Sequence, residues 1–239
     1  MKKTLTALTA AFLSALFFTN SSFAKTEGSY LGADFIRTDI VVKSHGTVEP
    51  YGDRSFRDTH LNSKTRDAKY GFGFHYKYAI NINNFFIAPG LFYESIGSKS
   101  EISKTNYSND ASSDFAYRQT LEIRDRYGVK FDIGFDISDK FATYVPLGYA
   151  STSYELNTRE SELADSAGLS TKTTERTSGL LYGLGFSFYP SEKIAINLEY
   201  NRSKVNARTG QGVSFNGGNS PVKAKANLDI IKLGASYKF

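Results

Sequence analysis

Leu121-Glu-Ile-Arg-Asp-Arg-Tyr-Gly-Val-Lys-Phe-Asp-Ile-Gly-Phe-Asp-Ile137 is the stretch that decides the fold. Its odd positions read Leu, Ile, Asp, Tyr, Val, Phe, Ile, Phe, Ile, and its even positions Glu, Arg, Arg, Gly, Lys, Asp, Gly, Asp. A helix would scatter these residues around its circumference, whereas a strand sorts them onto two faces. The sorting recurs at Ala68, Tyr70, Phe72, Phe74, Tyr76 and Tyr78 against Asp67, Lys69, Gly71, Gly73, His75 and Lys77. It returns at Leu180, Tyr182, Leu184, Phe186 and Phe188 against Gly179, Leu181, Gly183, Gly185 and Ser187.

Working outward, the pattern predicts eight strands, near 29–42, 66–80, 85–95, 117–137, 141–154, 177–189, 194–202 and 225–239. Tight turns of Asn, Ser, Asp and Pro chemistry join them at 81–84, 138–140 and 190–193. Longer connections alternate with these turns, around 43–65, 96–116, 155–176 and 203–224, rich in Ser, Thr, Asn, Gly and charge. Such loops are out of place in a compact soluble domain. An outer-membrane barrel has that arrangement, with short periplasmic turns and long extracellular loops.

Composition agrees. With 19 Phe and 16 Tyr in 239 residues, the chain is aromatic, yet past residue 24 no run is long and apolar enough for a membrane helix. It has no Cys, so disulfides, thiolate zinc sites and Cys nucleophiles are excluded. Lys2 and Lys3, the apolar run from Ala11 to Phe18, and Ser22-Phe23-Ala24 predict a secretory signal peptide over 1–24, leaving a barrel domain over 25–239. Without the two lysines the net charge falls from +5 to +3, which says little about partners.

A soluble barrel would show the same alternation with its apolar face inward. Three features favour the membrane reading. Glycines crowd the polar face (Gly71, Gly73, Gly90, Gly128, Gly134, Gly148, Gly183, Gly185, Gly234), where they make room for long charged side chains in a narrow lumen. Phe and Tyr gather near strand ends, as interfacial girdles require. The chain closes on Ile231, Leu233, Ala235, Tyr237 and Phe239, apolar at every second place.

By strand parity the lumen holds acids Asp34, Asp67, Glu94, Glu122, Asp132, Asp136 and Glu199, and in equal number the bases Lys69, Lys77, Arg124, Arg126, Lys130, Lys232 and Lys238. That balance predicts a paired polar core rather than a one-sided channel, an ion or proton path being the alternative. Asp34, Lys130, Asp132, Glu199 and Lys232 should share mid-barrel depth, Lys232 lying between Glu199 and Asp34 where the last strand meets the first. Asp125 has outward parity, so counting up from Ile137 should place it at the outer rim. Arg37 and Asp39 call for rim placement or a bulge.

His45 and His60 lack metal-ligand spacing, and His75 faces the lumen, so neither catalysis nor a cofactor is expected, and a lipid enzyme at the barrel wall is the least favoured reading. No nucleotide loop or nucleic-acid module is present. The fourth long connection carries Arg202, Lys204, Arg208, Lys223 and Lys225 with no acid among them. These bases are expected to contact lipopolysaccharide phosphates or an anionic external ligand.

The opening Tyr30-Leu-Gly-Ala-Asp-Phe35 and the closing Ile231-Lys-Leu-Gly-Ala-Ser-Tyr-Lys-Phe239 resemble the small OmpA-like and opacity-type surface antigens of Gram-negative outer membranes. The resemblance covers the mature chain in pattern and the terminal strands in motif. It implies an eight-stranded antiparallel transmembrane barrel set in outer-membrane lipid, and a C-terminal signal at Tyr237 and Phe239 read by the barrel-assembly machinery. It also implies a non-enzymatic surface role in adhesion or envelope integrity, with loops for host or environmental ligands. A narrow porin-like channel is the alternative. The periplasmic peptidoglycan-binding domain of full OmpA is not expected here.

Overall fold

A computed structural model describes residues 26–46, 61–107, 115–162, 170–208, 213–215, 218–220 and 222–239. The predicted signal peptide lies outside the described residues. Ten strands follow in chain order: β1 (Gly28–Gly46), β2 (Leu61–Ile82), β3 (Phe85–Tyr107), β4 (Phe115–Ser138), β5 (Phe141–Glu162), β6 (Ser170–Ser191), β7 (Ile194–Arg208), β8 (Val213–Phe215), β9 (Gly218–Ser220) and β10 (Val222–Lys238). Eight of them close an antiparallel barrel in the order β1-β10-β7-β6-β5-β4-β3-β2, while β8 and β9 form a small separate sheet. β10 closes the barrel onto β1 from Tyr30 opposite Lys238 up to Gly46 opposite Val222. The Phe239 amide donates to the Ser29 carbonyl at 3.0 Å, pinning the end of the chain.

The outer surface is apolar over the membrane-crossing part. Tyr70, Phe72 and Phe131, which a soluble barrel would have buried, are 66%, 54% and 49% exposed. On β4 the belt runs from Tyr127 to Ile137, about 25 Å of height for a strand tilted by ~40°. Tyrosines crown it towards the extracellular end (Tyr70, Tyr93, Tyr127, Tyr149, Tyr182, Tyr200). Phe pairs mark the periplasmic end, Phe85 with Phe135 at 5.2 Å and Phe141 with Phe188 at 5.0 Å between ring centroids. Tyrosine suits an interface because its ring lies in lipid while its hydroxyl reaches water.

Two features differ from the sequence expectation. First, much of what reads as loop is strand. Glu155 pairs with Thr174 and Arg159 with Ser170, so β5 and β6 stay paired well into the segment read as a loop, and β3 runs on to Tyr107. Above the lipid a strand no longer needs an apolar outer face. Alternation therefore fades while backbone pairing, helped by Thr-rich sequence, continues.

Second, β4 carries a bulge at Arg124 and Asp125, where the register to β5 shifts between Ile123 and Arg126. β3 answers with an irregularity between Ser95 and Ser98, at which Gly97 takes φ 59°. The bulge reverses the parity of the decisive stretch: Leu121 and Ile123 are buried inside, while Arg124 is exposed and Glu122 partly so. Glu122 and Arg124 are thus removed from the predicted lumen set, and Lys69 is exposed as well.

The interior is layered rather than uniformly polar. Nearest the periplasm Tyr30, Ala79, Phe86, Ala88, Ala142, Tyr144, Tyr189 and Ala195 pack together. Nearest the outside is a larger apolar cluster of Ile36, Ile40, Val42, Ile96, Leu121, Ile123, Tyr154, Leu156, Val205, Ala226, Leu228 and Ile230. The charged side chains of Glu94, Arg126, Lys130, Asp132, Glu199 and Lys232 lie between them, while Asp136 is buried at the periplasmic end with Thr26 and Asn81.

Candidate functional site

Parity on β1, β2, β3, β4, β7 and β10 delivers the middle layer. Lys130 Nζ lies 2.6 Å from Glu199 Oε2 and 3.3 Å from Asp132 Oδ1, and Lys77 Nζ lies 3.1 Å from Asp132 Oδ2. Lys232 Nζ bridges Glu199 Oε1 at 2.7 Å and Glu94 Oε1 at 2.8 Å. Arg126, fully buried, donates from Nε to Glu94, from Nη1 to Ser203 Oγ at 3.1 Å and from Nη2 to Asn201 Oδ1 at 2.8 Å. Lys77 also sits 4.9 Å from the Tyr144 ring centre, and Lys232 5.5 Å from that of Phe92.

Asp34 is placed otherwise than expected. Its Oδ2 lies 2.8 Å from His75 Nδ1, and His75 Nε2 lies 2.9 Å from Ser236 Oγ. The Asn197 amide donates to Ser236 Oγ at 2.8 Å and accepts from Ser187 Oγ at 2.8 Å. Asp34 stands opposite Gly234, and its carboxylate fills the place a Cβ there would take. That position turns it towards His75, and Glu94, reaching in from β3, becomes the second acid on Lys232.

The glycines make room as predicted by their face, but for rings as well as charges. A Cβ on Gly185 would collide with the Tyr144 ring, and one on Gly134 with Phe86. A pocket lined by Asp34, His75, Lys77, Lys130, Tyr144, Asn197, Glu199 and Lys232 leaves about 10 Å³ for the centre of a water molecule, the room of a single bound water. Asn197, Asn201, Ser203 and Ser236 lie outside the set of site residues that the sequence predicts. Their inward parity on β7 and β10 was the available signal, but counting charges alone passes over neutral partners.

At the rim, Asp125 lies just above Tyr127 and pairs with Arg176 at 2.6 Å, whose guanidinium sits 4.7 Å from the Tyr127 ring centre. Arg37 and Asp39 also take the rim, 3.6 Å apart, on a strand whose register to both neighbours is unbroken. Glu155, buried on β5 with Lys172 at 2.9 Å and Arg124 at 3.6 Å, stands one residue past the strand end that alternation predicts at 154.

The bases read as a fourth loop are strand residues. Arg202 and Lys204 belong to β7 and Lys225 to β10. Arg202 clamps Asp229 with Nε at 2.6 Å and Nη2 at 2.9 Å, an acid four residues beyond the acid-free stretch 202–225. Lys204 and Lys225 are exposed. Lys223 stands opposite Arg208 in the backbone register, and their side chains lie outside the described residues. Tyr237 and Phe239 lie on the lipid face, their rings 5.3 Å apart. Among the described residues no group of three or more His, Asp or Glu could hold a metal ion.

Residues 8–239 match the family model described as Outer membrane protein beta-barrel domain. Among solved structures, the outer membrane protein OprG of Pseudomonas aeruginosa is 14% identical, the alignment covering 90% of this chain and 98% of that one at a TM-score of 0.52. The attachment invasion locus protein Ail of Yersinia pestis is 15% identical over 90% of this chain and 100% of that one, TM-score 0.35. The outer membrane protease OmpT of Escherichia coli is 10% identical over 92% and 99%, TM-score 0.48. OprG speaks for the fold alone, and the other two carry no argument. No curated protein matches the chain by sequence.

Proposed function

Because the chain belongs to the outer membrane protein beta-barrel family and resides in the outer membrane, we propose that it is a non-enzymatic surface protein, in which the barrel anchors and the extracellular extension recognises partners. The division of the strands carries this reading. β4 is 24 residues long, yet its lipid-facing belt ends at Tyr127, so nearly half of it stands outside the membrane. A barrel built only to hold itself in lipid has no use for such an extension, whereas exposed elements on a rigid scaffold are where binding residues collect.

The lumen supports anchoring rather than transport, since its central charges are paired and capped by apolar layers on both sides. His75 is engaged at both ring nitrogens inside the barrel, away from the lipid-facing wall where a lipid enzyme would act. Signal-peptide export over 1–24, reading of Tyr237 and Phe239 by the assembly machinery, and lipopolysaccharide contact at the rim belong to the same proposal. The test is whole-cell binding to host cells or matrix with the segments 47–60, 108–114, 163–169 and 209–221 deleted one at a time. Loss on one deletion, with surface display intact, is expected; unchanged binding in all would leave only an anchor.

A further inference from the structure

At the periplasmic end the chain leaves the barrel wall just before β1. Gly28, the first residue of that strand, holds φ 132°, a backbone setting that residues with side chains rarely adopt. Thr26, two residues earlier, is 1% exposed. Its hydroxyl donates to Asp136 Oδ1, and its carbonyl accepts from the Tyr30 hydroxyl at 2.8 Å. Asp136 belongs to β4, three strands around the barrel from β1, so the contact crosses the lumen rather than following the wall. Two residues of chain span at most about 7 Å, and the buried Asp136 side chain reaches in to supply the rest.

The wall around this contact is thin on the inside. Ala79, Ala88, Ala142 and Ala195 are its buried residues on β2, β3, β5 and β7, and an eight-stranded interior is filled by long side chains, not by methyl groups. Tyr30, Phe86, Tyr144 and Tyr189 occupy much of the space that the alanines leave. Thr26 adds to that filling and, by accepting the hydroxyl bond of Tyr30, also holds one of the four rings in place. Asn81 Nδ2 lies 3.5 Å from Asp136 Oδ2 in the same layer. With Thr26 withdrawn, a carboxylate and an amide would stand beside small residues at the mouth, a setting that is both roomy and polar and therefore takes up water.

We propose that Thr26 and Glu27, hinged at Gly28, form a strap that closes the periplasmic mouth of the barrel, with Asp136 as its catch. The strap is laid last. Thr26 and Asp136 stand 110 residues apart in sequence, and they meet only once β1 is enclosed between β2 and β10 and β4 has come round to face it. It is also the first part to let go. Two hydrogen bonds involving Thr26 hold it, whereas β1 above it is tied by backbone ladders to β2 from Gly28 and to β10 from Tyr30. Release opens a blind vestibule, because the His75 contact with Ser236 and the bridges of Lys130 and Lys232 to Glu199 still span the lumen above. The strap thus governs water at the periplasmic end and leaves the extracellular part untouched.

The chain has no Cys, so a single introduced thiol reports on a single place. Ala142→Cys sets it opposite Asp136 in the register of β4 with β5, and Ala226→Cys sets it in the outer apolar cluster. Each barrel, refolded from residue 25 onward in detergent micelles, is exposed to a water-soluble thiol reagent and the labelling is timed. Thr26→Val should speed labelling of the Ala142→Cys barrel by about fivefold or more, since a buried hydrogen bond to a carboxylate is lost, while Thr26→Ser keeps the hydroxyl and should stay within about twofold. Removing residues 25–27 should speed it by about tenfold or more, and labelling of the Ala226→Cys barrel should change less than about twofold throughout. Equal rates at Ala142→Cys with and without the strap would overturn the proposal. So would a matching rise at Ala226→Cys, which marks general loosening, or an Ala142→Cys thiol that labels in the intact chain as fast as one at the exposed Lys99.

Discussion

Lys232 is held by two acids that each keep a second cation, Glu199 with Lys130 and Glu94 with Arg126. Lys232→Met therefore removes a shared charge without stripping either carboxylate bare, and should cost about 3 kcal/mol, the low end for breaking a buried pair. Arg126→Met should cost more, because it also abandons Asn201 and Ser203 in a fully buried site. Lys99→Met, on the exposed extension, should stay within about 0.5 kcal/mol of wild type. Urea unfolding of the refolded barrels in lipid ranks the three, and a Lys232→Met barrel as stable as Lys99→Met would dissolve the network. Parity alone named Asp34, Lys130, Asp132, Glu199 and Lys232 as lumen residues. It could not choose partners, because whether Lys232 meets Asp34 or Glu94 depends on side-chain reach and on Gly234 leaving Asp34 somewhere else to go.

Strands β1 and β4 solve the same problem in different ways. Below the rim lipid lies outside, and above it water does, so a strand that crosses the rim must move its apolar residues from the outer face to the inner one. β1 does so in sequence: Leu31, Ala33 and Phe35 face outward, then Ile36, Ile40 and Val42 face inward, without a break in register. From Leu121 to Ile137 β4 keeps its odd positions apolar except at Asp125 and turns the backbone there instead, one extra residue at Arg124 and Asp125 carrying Ile123 and Leu121 inside. The alternation thus announces the strand, and the one charge that interrupts it, Asp125, stands at the bulge. Ile123→Ser should cost about 2 to 4 kcal/mol by opening the outer apolar cluster, whereas Glu122→Ser should stay within about 0.5 kcal/mol. Unbroken alternation would instead put Ile123 at the outer surface, with little difference between the two. Gly97→Val should cost about 1 to 3 kcal/mol, since φ 59° suits glycine and strains a β-branched residue. Chemical unfolding in lipid vesicles reads all three.

Across the whole molecule the charged layer is sealed on both sides, and that arrangement bears on transport. An ion entering from outside meets the cluster of Ile36, Ile40, Val42, Leu228 and Ile230 before it reaches the network around Glu199, and one entering from the periplasm meets Tyr30, Phe86, Tyr144 and Tyr189. Removing water from an ion is costly, and an apolar constriction supplies nothing in exchange. Between the clusters the pocket lined by Lys130, Glu199 and Lys232 has room for about one water. The wild-type protein in a planar bilayer should therefore show no reproducible openings at neutral pH. Ile40→Ser with Leu228→Ser, which loosens the outer seal, should remain closed too, because the bridges of Lys232 and Lys130 to Glu199 still span the lumen. Adding Lys232→Met to that pair should bring the first measurable conductance if seal and network act as independent barriers. Reproducible openings in the wild type would mean that both clusters and the network rearrange together, and anchoring would give way to transport as the role of the barrel.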